Sequence, residues 1–349
     1  MSLQEIIESI RPIDPDRLQK ARERLDNLTK PRGSLGVLEQ IAARMAALDR
    51  ELKPVVRAPK VFVFVGDHGV TEEGVSAYPA EVTTLMVHNF LNGGAAINVL
   101  ARCAGAEVRV VDVGMRDDVT LPGLVRRNVR RGAGNIARGP AMPVEEALQA
   151  LAVGVEMADQ AQAEGSTLVG LGEMGIGNTT PSAALYAALL PCEPEEIVGR
   201  GTGLDDAGLE RKVETVRRAL AVNRERLSDP LSTLAAVGGL EIAAIAGLCL
   251  GAAAHRLPVV VDGFISGAGA LVAMRLAPAV RDYLFFSHVS AEAGHRVFFA
   301  RENLRPLLSL DMRLGEGTGA AIGMQIIRDA VAIYNEMATF QDAGIEPGA

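Results

Sequence analysis

Glu316 stands between two glycines in the stretch Leu310-Asp311-Met312-Arg313-Leu314-Gly315-Glu316-Gly317-Thr318-Gly319-Ala320-Ala321. Glycine on both sides lets the backbone take φ > 0 and approach a ligand closely, so this carboxylate is placed to meet one. A helical pattern follows at once, with apolar residues at Ile322, Ile326, Ala330 and Ile333. Alone, the stretch also reads as an exposed turn. It has company elsewhere in the chain. Gly172-Glu173-Met174-Gly175-Ile176-Gly177-Asn178-Thr179-Thr180 follows a short apolar run, and Pro181 then opens a helix with Thr180 as the expected N-cap. Strand, glycine-rich turn and helix start together aim free amides at a phosphate. No GK[ST] follows, and the spacing is not GxGxxG, so a mononucleotide phosphate fits while a dinucleotide bound in the Rossmann manner does not.

Three further polar loops follow short apolar runs. Asp67-His68 lies between Gly66 and Gly69, and Asp262-Gly263-Phe264-Ile265-Ser266-Gly267 has its serine one place too late for a nucleophile elbow. His288 and His295 flank Glu292 seven residues apart, which lacks the i, i+4 spacing of a zinc helix, so a metal is not expected. Gly199-Arg200-Gly201-Thr202-Gly203 precedes a helix carrying Arg211 and Lys212 in its first turns. Cations there oppose the helix dipole, so either an anion lies nearby or the helix is an ordinary charged surface. Lys30 and Arg32 in a breaker-rich loop read first as linker chemistry, with an anion contact as the alternative. The four arginines in 126–131 read as a solvated or interface loop rather than a phosphate site.

These loops need a scaffold. Residues 60–65 (KVFVFV), 107–113 (EVRVVDV), 167–171 (TLVGL), 257–261 (LPVVV) and 282–286 are β-branched or aromatic runs separated by helical patterns, which predicts an α/β protein with a mostly parallel sheet of five or six strands. Loops beyond the carboxyl ends of such strands are where these folds place ligands. Residues 1–53 read as helices, one started by Asp14-Pro15 and another over 35–52. Helical runs are also expected over 81–90, 95–103, 143–164 (with Pro143 in its first turn) and 209–227. The polar tail from Asn335 onward is expected to fray. The chain is 48% hydrophobic but only 4% aromatic and has no Trp, so its core must be aliphatic and packed through Ala and Gly. A net charge of −8 argues against a nucleic-acid or anionic-membrane partner, so any bound anion must be held locally. Cys103, Cys192 and Cys249 are odd in number with no CxxC, which suggests neither a disulfide frame nor a zinc site. Residues 231–254 hold one charge, Glu241, and are long enough to span a bilayer; their Gly/Ala richness predicts a buried helix or helix pair instead. The first ten residues show no cationic start followed by an apolar run, so a cytoplasmic protein is expected.

In order along the chain, LTKPRGSLG (28–36), GDHGV (66–70), GGAAINVLAR (93–102), GEMGIGNTT (172–180), GRGTGLDD (199–206), VGGLEIAA (237–244), DGFISGAGAL (262–271), SHVSAEAGH (287–295) and LDMRLGEGTGAA (310–321) resemble the motif set of the nicotinate-nucleotide–dimethylbenzimidazole phosphoribosyltransferase family. The resemblance spans about residues 25 to 325. It implies transfer of the phosphoribosyl group of nicotinate mononucleotide to 5,6-dimethylbenzimidazole in cobalamin nucleotide-loop synthesis. It also implies a Rossmann-like sheet flanked by helices over residues 55–319, a small helical domain from 1–54 with 320–349, and a homodimer without metal or other cofactor. Carried over residue by residue, Glu316 matches the family's general base, Glu173 an active-site acid and Lys212 a lysine near the nucleotide phosphate. Gly175, Gly177, Asn178 and Thr179 match its phosphate-facing loop, and Tyr78, Pro79 and Leu314 its benzimidazole pocket. Gly201, Thr202 and Ser290 fall in motifs expected to touch substrate, while Asp67, His68, Glu241, His288 and His295 receive no role. The rival readings are a non-catalytic nucleotide sensor and a ribosyltransferase with another donor.

Overall fold

The computed structural model describes residues 2–201 and 203–346. Three helices come first: α1 (Leu3–Ser9), α2 (Pro15–Asp26, capped by Asp14) and α3 (Val37–Leu48). Strand β1 (Lys60–Gly66) leads to α4 (Val82–Leu91), α5 (Ala96–Ala104), β2 (Glu107–Gly114) and β3 (Leu124–Arg126). Helix α6 (Val144–Ala163) precedes β4 (Val169–Met174), followed by α7 (Thr179–Leu189), α8 (Pro194–Ile197) and α9 (Asp206–Val222). Next come α10 (Pro230–Val237), α11 (Leu240–Ala254), β5 (Val259–Val261), α12 (Phe264–Leu276), β6 (Leu284–Phe286), α13 (Ala293–Arg301) and α14 (Thr318–Glu336).

The six strands form one sheet in the order β3-β2-β1-β4-β5-β6, and every neighbouring pair is parallel. That order reverses between β1 and β4, and the crevice beyond their carboxyl ends is the position where open α/β sheets bind ligands. All seven residues of β1 are buried, as a strand covered on both faces requires. Gly66 backs onto Glu241 of α11, whereas Val61 meets Gly317 at the start of α14. Side chains alternate along a strand, so α11 and α14 cover opposite faces of the sheet. The Gly/Ala richness has a direct packing cause. A Cβ on Gly154 of α6 would collide with the Ala244 carbonyl of α11, and one on Gly247 with the Leu151 carbonyl, so the two helices touch backbone to backbone. Residues 231–254 are therefore α10 and α11, with α11 buried almost throughout, and no helix among the described residues is long and apolar enough to cross a membrane.

Several local expectations are corrected. β3 is not among the expected strands; it ends on Arg126, the first residue of the arginine loop, and Arg126 pairs with Asp118 at 2.8 Å on the surface. Pro143 is the N-cap of α6 rather than a first-turn residue. β4 runs on to Met174, so Glu173 is a strand residue. Helix α7 starts at Thr179 with Asn178 as N-cap, leaving Pro181 third, where its missing N–H removes no helical hydrogen bond. Lys30 is no loose linker cation: it is buried and pairs with Glu39 at 2.8 Å. The described part of the tail beyond Asn335, to residue 346, is held rather than frayed. Thr339 bridges Leu28, and the Phe340 N–H donates to the Asn27 carbonyl at 3.0 Å.

Candidate functional site

A cavity of about 570 Å³ opens at the carboxyl ends of β1, β4, β5 and β6. Its floor is the contact between two strand ends. A Cβ on Gly175 would strike the Gly66 carbonyl and lie 3.2 Å from His68 Nε2, so glycine is required for the β4 turn to reach β1. Behind that contact His68 Nε2 bonds Glu241 Oε1 at 2.7 Å, with both side chains buried. Asp67 accepts the Arg116 N–H at 2.9 Å. These polar residues brace the floor.

One end of the cavity is built from backbone. Gly175, Gly177, Asn178 and Thr179 line it as the turn that enters α7, and Gly201 packs beside Thr179, where a Cβ would lie 3.0 Å from Thr179 Oγ1. First-turn amides of a helix have no intrahelical acceptor, and the helix dipole favours negative charge there. Lys212 does not reach the wall. It is fully buried behind Thr179, where Nζ donates to Thr179 Oγ1 at 2.7 Å and to the Gly199 carbonyl at 3.0 Å. Burial pushes its pKa down to about 8, against an opposing pull from Glu292. Thr202 lies outside the described residues.

The other end is built from carboxylates. Gly315, Glu316 and Gly317 have φ of +82°, +64° and +92°, a left-handed turn that only its two glycines adopt freely. For Glu316 that conformation costs about 1–2 kcal/mol, so neighbouring contacts must hold it. A Cβ on Gly172 would collide with the Glu316 carbonyl, which fixes the turn against β4. Glu316 is 6% exposed, lines the cavity, and its Oε2 has no hydrogen-bond partner among the described residues. Burial pushes its pKa up to about 7; the negative charge of Asp262 adds to this, and the Ile97 N–H at the start of α5 opposes it. Glu173 is pushed up to about 8, first by burial, and its oxygens are engaged. Asn178 Nδ2 donates to Oε2, and the Glu316 N–H to Oε1 at 3.4 Å.

Between the two ends Tyr78, Val75, Val82, Met86, Leu314 and Phe264 supply an apolar wall. Tyr78 and Leu314 are each more than half exposed, so this wall forms the rim. Pro79 is exposed and stands outside the wall, which corrects its expected place in the pocket. Ser290 is buried and lines the cavity, and its N–H donates to His295 Nδ1 at 2.8 Å. Burial pushes His295 down to about 3, so it is a neutral acceptor. The structure thus brings together Glu316, Glu173, Gly175, Gly177, Asn178, Thr179, Gly201, Tyr78, Leu314 and Ser290. It adds His288, Glu292 and Arg313, none of which received a substrate-facing role from the sequence. Their signal was position: His288 and Glu292 follow β6 directly, and Arg313 lies three residues before Glu316. Among the described residues no group of three or more His, Cys, Asp or Glu could hold a metal ion.

A sheet in this order, with a glycine-rich helix start and a carboxylate turn lining one cavity beyond its strand ends, defines a ligand-binding α/β protein. The chain belongs to the phosphoribosyltransferase family DBI_PRT, whose profile matches residues 10–345. It is 57% identical over 344 residues to the nicotinate-nucleotide–dimethylbenzimidazole phosphoribosyltransferase of Pelodictyon phaeoclathratiforme, covering 98% of this chain and 97% of that one. It is 56% identical over 347 residues to the enzyme of the same name from Geobacter sulfurreducens, covering 99% of each. The crystal structure of CobT from Thermus thermophilus superposes with a TM-score of 0.92 at 52% identity, covering 96% of this chain and 100% of that one.

Proposed function

We propose that the protein transfers the 5-phosphoribosyl group of nicotinate mononucleotide to 5,6-dimethylbenzimidazole, giving α-ribazole 5′-phosphate and nicotinate. The observation that carries this reading is the buried Glu316 carboxyl at the cavity wall, with an oxygen lacking any partner among the described residues, in the same cavity as the glycine-rich start of α7. A cavity of about 570 Å³ lies within the range of small-molecule sites.

The chemistry follows from the two ends. The phosphate binds at the α7 amides, backed by Lys212 through Thr179, and its binding energy orients a ribose remote from it. The C1′–N bond of the nucleotide breaks with its electron pair going to the pyridinium nitrogen, which leaves as a neutral ring. One benzimidazole nitrogen gives its lone pair to C1′ and would become cationic. The proton on the other nitrogen passes to Glu316 as that charge forms, a contribution of about 10²–10⁴ in rate when the two are within about 3 Å. A pKa near 7 suits a general base at neutral pH, so burial and Asp262 tune a group that the reaction needs only ionised and aimed. The donor's pyridinium cation favours the ionised form of Glu173, which would then stabilise positive charge developing at the sugar. Attack on the face opposite the departing ring inverts β to α.

The same reading assigns residues 55–319 to a catalytic domain and 1–54 with 320–349 to a small helical one, in a cytoplasmic homodimer. The test is to incubate the protein with dimethylbenzimidazole and either nicotinate or nicotinamide mononucleotide. Free nicotinate is expected from the first; its absence contradicts the proposal, and release of nicotinamide instead points to another donor.

A further inference from the structure

Asp262 follows β5 directly, 1% exposed, and spends both oxygens on the start of a helix 55 positions away. Oδ2 accepts the Gly317 N–H at 3.0 Å, and Oδ1 accepts those of Gly319 at 2.7 Å and Ala320 at 3.1 Å. The N-cap position of α14 is Gly317, which has no side chain to do this. A cap of this kind ordinarily comes from the residue just before the helix; here it comes from another strand. The contact is tight, since a Cβ on Gly319 would lie 2.8 Å from Asp262 Oδ1 and collide with the His288 ring.

We propose that Asp262 is the positioning residue for Glu316: by capping α14 from β5 it locks the left-handed 315–317 turn and aims the Glu316 carboxyl into the cavity. The inference rests on the transfer reaction above. Burial pushes the Asp262 carboxyl upward, while His288 and the three N–H groups pull it back down. Only N–H groups donate to the two oxygens, and His288 Nε2 stands 3.9 Å from Oδ1, an arrangement that suits the ionised form. That negative charge pushes both Glu173 and Glu316 upward. The groups facing Glu316 are Glu173 from β4, Asp262 after β5, His288 after β6, Glu292 ahead of α13, Arg313 on its own segment, and the Ile97 N–H of α5. Among the charges, Asp262 is the one that shifts Glu316.

The test compares Asp262→Asn with the parent enzyme in the nicotinate-release assay across pH. The variant is expected to lose at least about tenfold in kcat with KM for nicotinate mononucleotide within about threefold, because the lost contact orients the base and does not bind the nucleotide. The rising limb of its pH profile should also move to lower pH, and a melting temperature close to the parent's separates the lost charge from a loosened, better solvated site. Unchanged kcat and an unmoved limb overturn the inference, while a parent that releases no nicotinate overturns the transfer reaction itself. If Asp262→Asn does not fold, Asp262→Glu keeps the charge and misplaces it, so kcat should fall with the limb in place; parental kcat overturns the inference. The unsubstituted protein gives a third reading. The Glu316 carboxyl, followed by ¹³C NMR, should titrate near pH 7, and a midpoint at the ordinary 4.5 overturns the inference.

Discussion

The two ends of the cavity are made in opposite ways. The end proposed to take the phosphate is largely one continuous piece of chain, residues 175–179, the turn that enters α7. Two cations stand beside it: Lys212, buried and bonded to Thr179, and Arg313, which donates to the Gly201 carbonyl at 3.3 Å. The carboxylate end is assembled from three separate elements: Glu173 from β4, Asp262 after β5 and Glu316 ahead of α14. Backbone dipoles need no tuning, so a local turn suffices for binding. A carboxylate whose pKa is raised toward neutrality needs burial and a neighbouring negative charge, and those come only from tertiary structure.

Substitutions at the two ends should therefore fail differently. The largest effect belongs to Glu316→Gln, which should lower kcat by about 10²–10⁴ while nicotinate mononucleotide still binds, measured by product release and by titration calorimetry. A smaller loss, of the other kind, is expected for Lys212→Met. Removing a charge-assisted contact worth about 1.5–3 kcal/mol should raise KM for the nucleotide about ten- to hundredfold and leave kcat much closer to the parent. A kcat collapse with unchanged KM would erase the distinction between the ends.

Glu173→Gln sharpens the comparison through stability. Folding raises the Glu173 pKa from 4.5 to about 8, so the folded state holds more protons than the unfolded one across that window. Stability is therefore lost as pH rises from about 4.5 through about 8, by an amount of order a few kcal/mol. Gln carries no such penalty. Thermal melts should show the variant gaining on the parent by several degrees more at pH 9 than at pH 5; a pH-independent difference would mean that Glu173 is not raised. The smallest effect is at the surface. Arg126→Ala breaks the exposed 2.8 Å pair with Asp118 and should cost less than about 1 kcal/mol, with turnover unchanged.

The same division explains what could be read from the sequence. The 60–65 and 107–113 runs announced β1 and β2, and the glycines around Glu316 announced a left-handed turn that the structure contains. The 172–180 loop was legible as a turn because strand, glycines and helix start follow one another directly in sequence. β3 was not, being three residues long and adjacent to arginines. Lys212 read as a cation that either meets an anion or lies on the helix surface, because nothing nearby in sequence reports that its side chain is buried against Thr179. Pro79 shared a segment with Tyr78 but stands outside the wall, which depends on the path of a loop with no period. Asp262 was visible only as a polar residue after a strand; its three acceptor contacts with residues 317–320 require the sheet to close first.

The claim on which the chemistry depends is that Glu316 takes a proton as the base attacks. The most direct measurement is nicotinate release at saturating substrates from pH 5 to pH 9, in the parent and in Glu316→Gln side by side. The account predicts a rate that rises with pH in the parent, around a midpoint near 7, and a low, flat profile in the variant that lacks the carboxyl. The same rising limb in both proteins, at comparable rates, would contradict it.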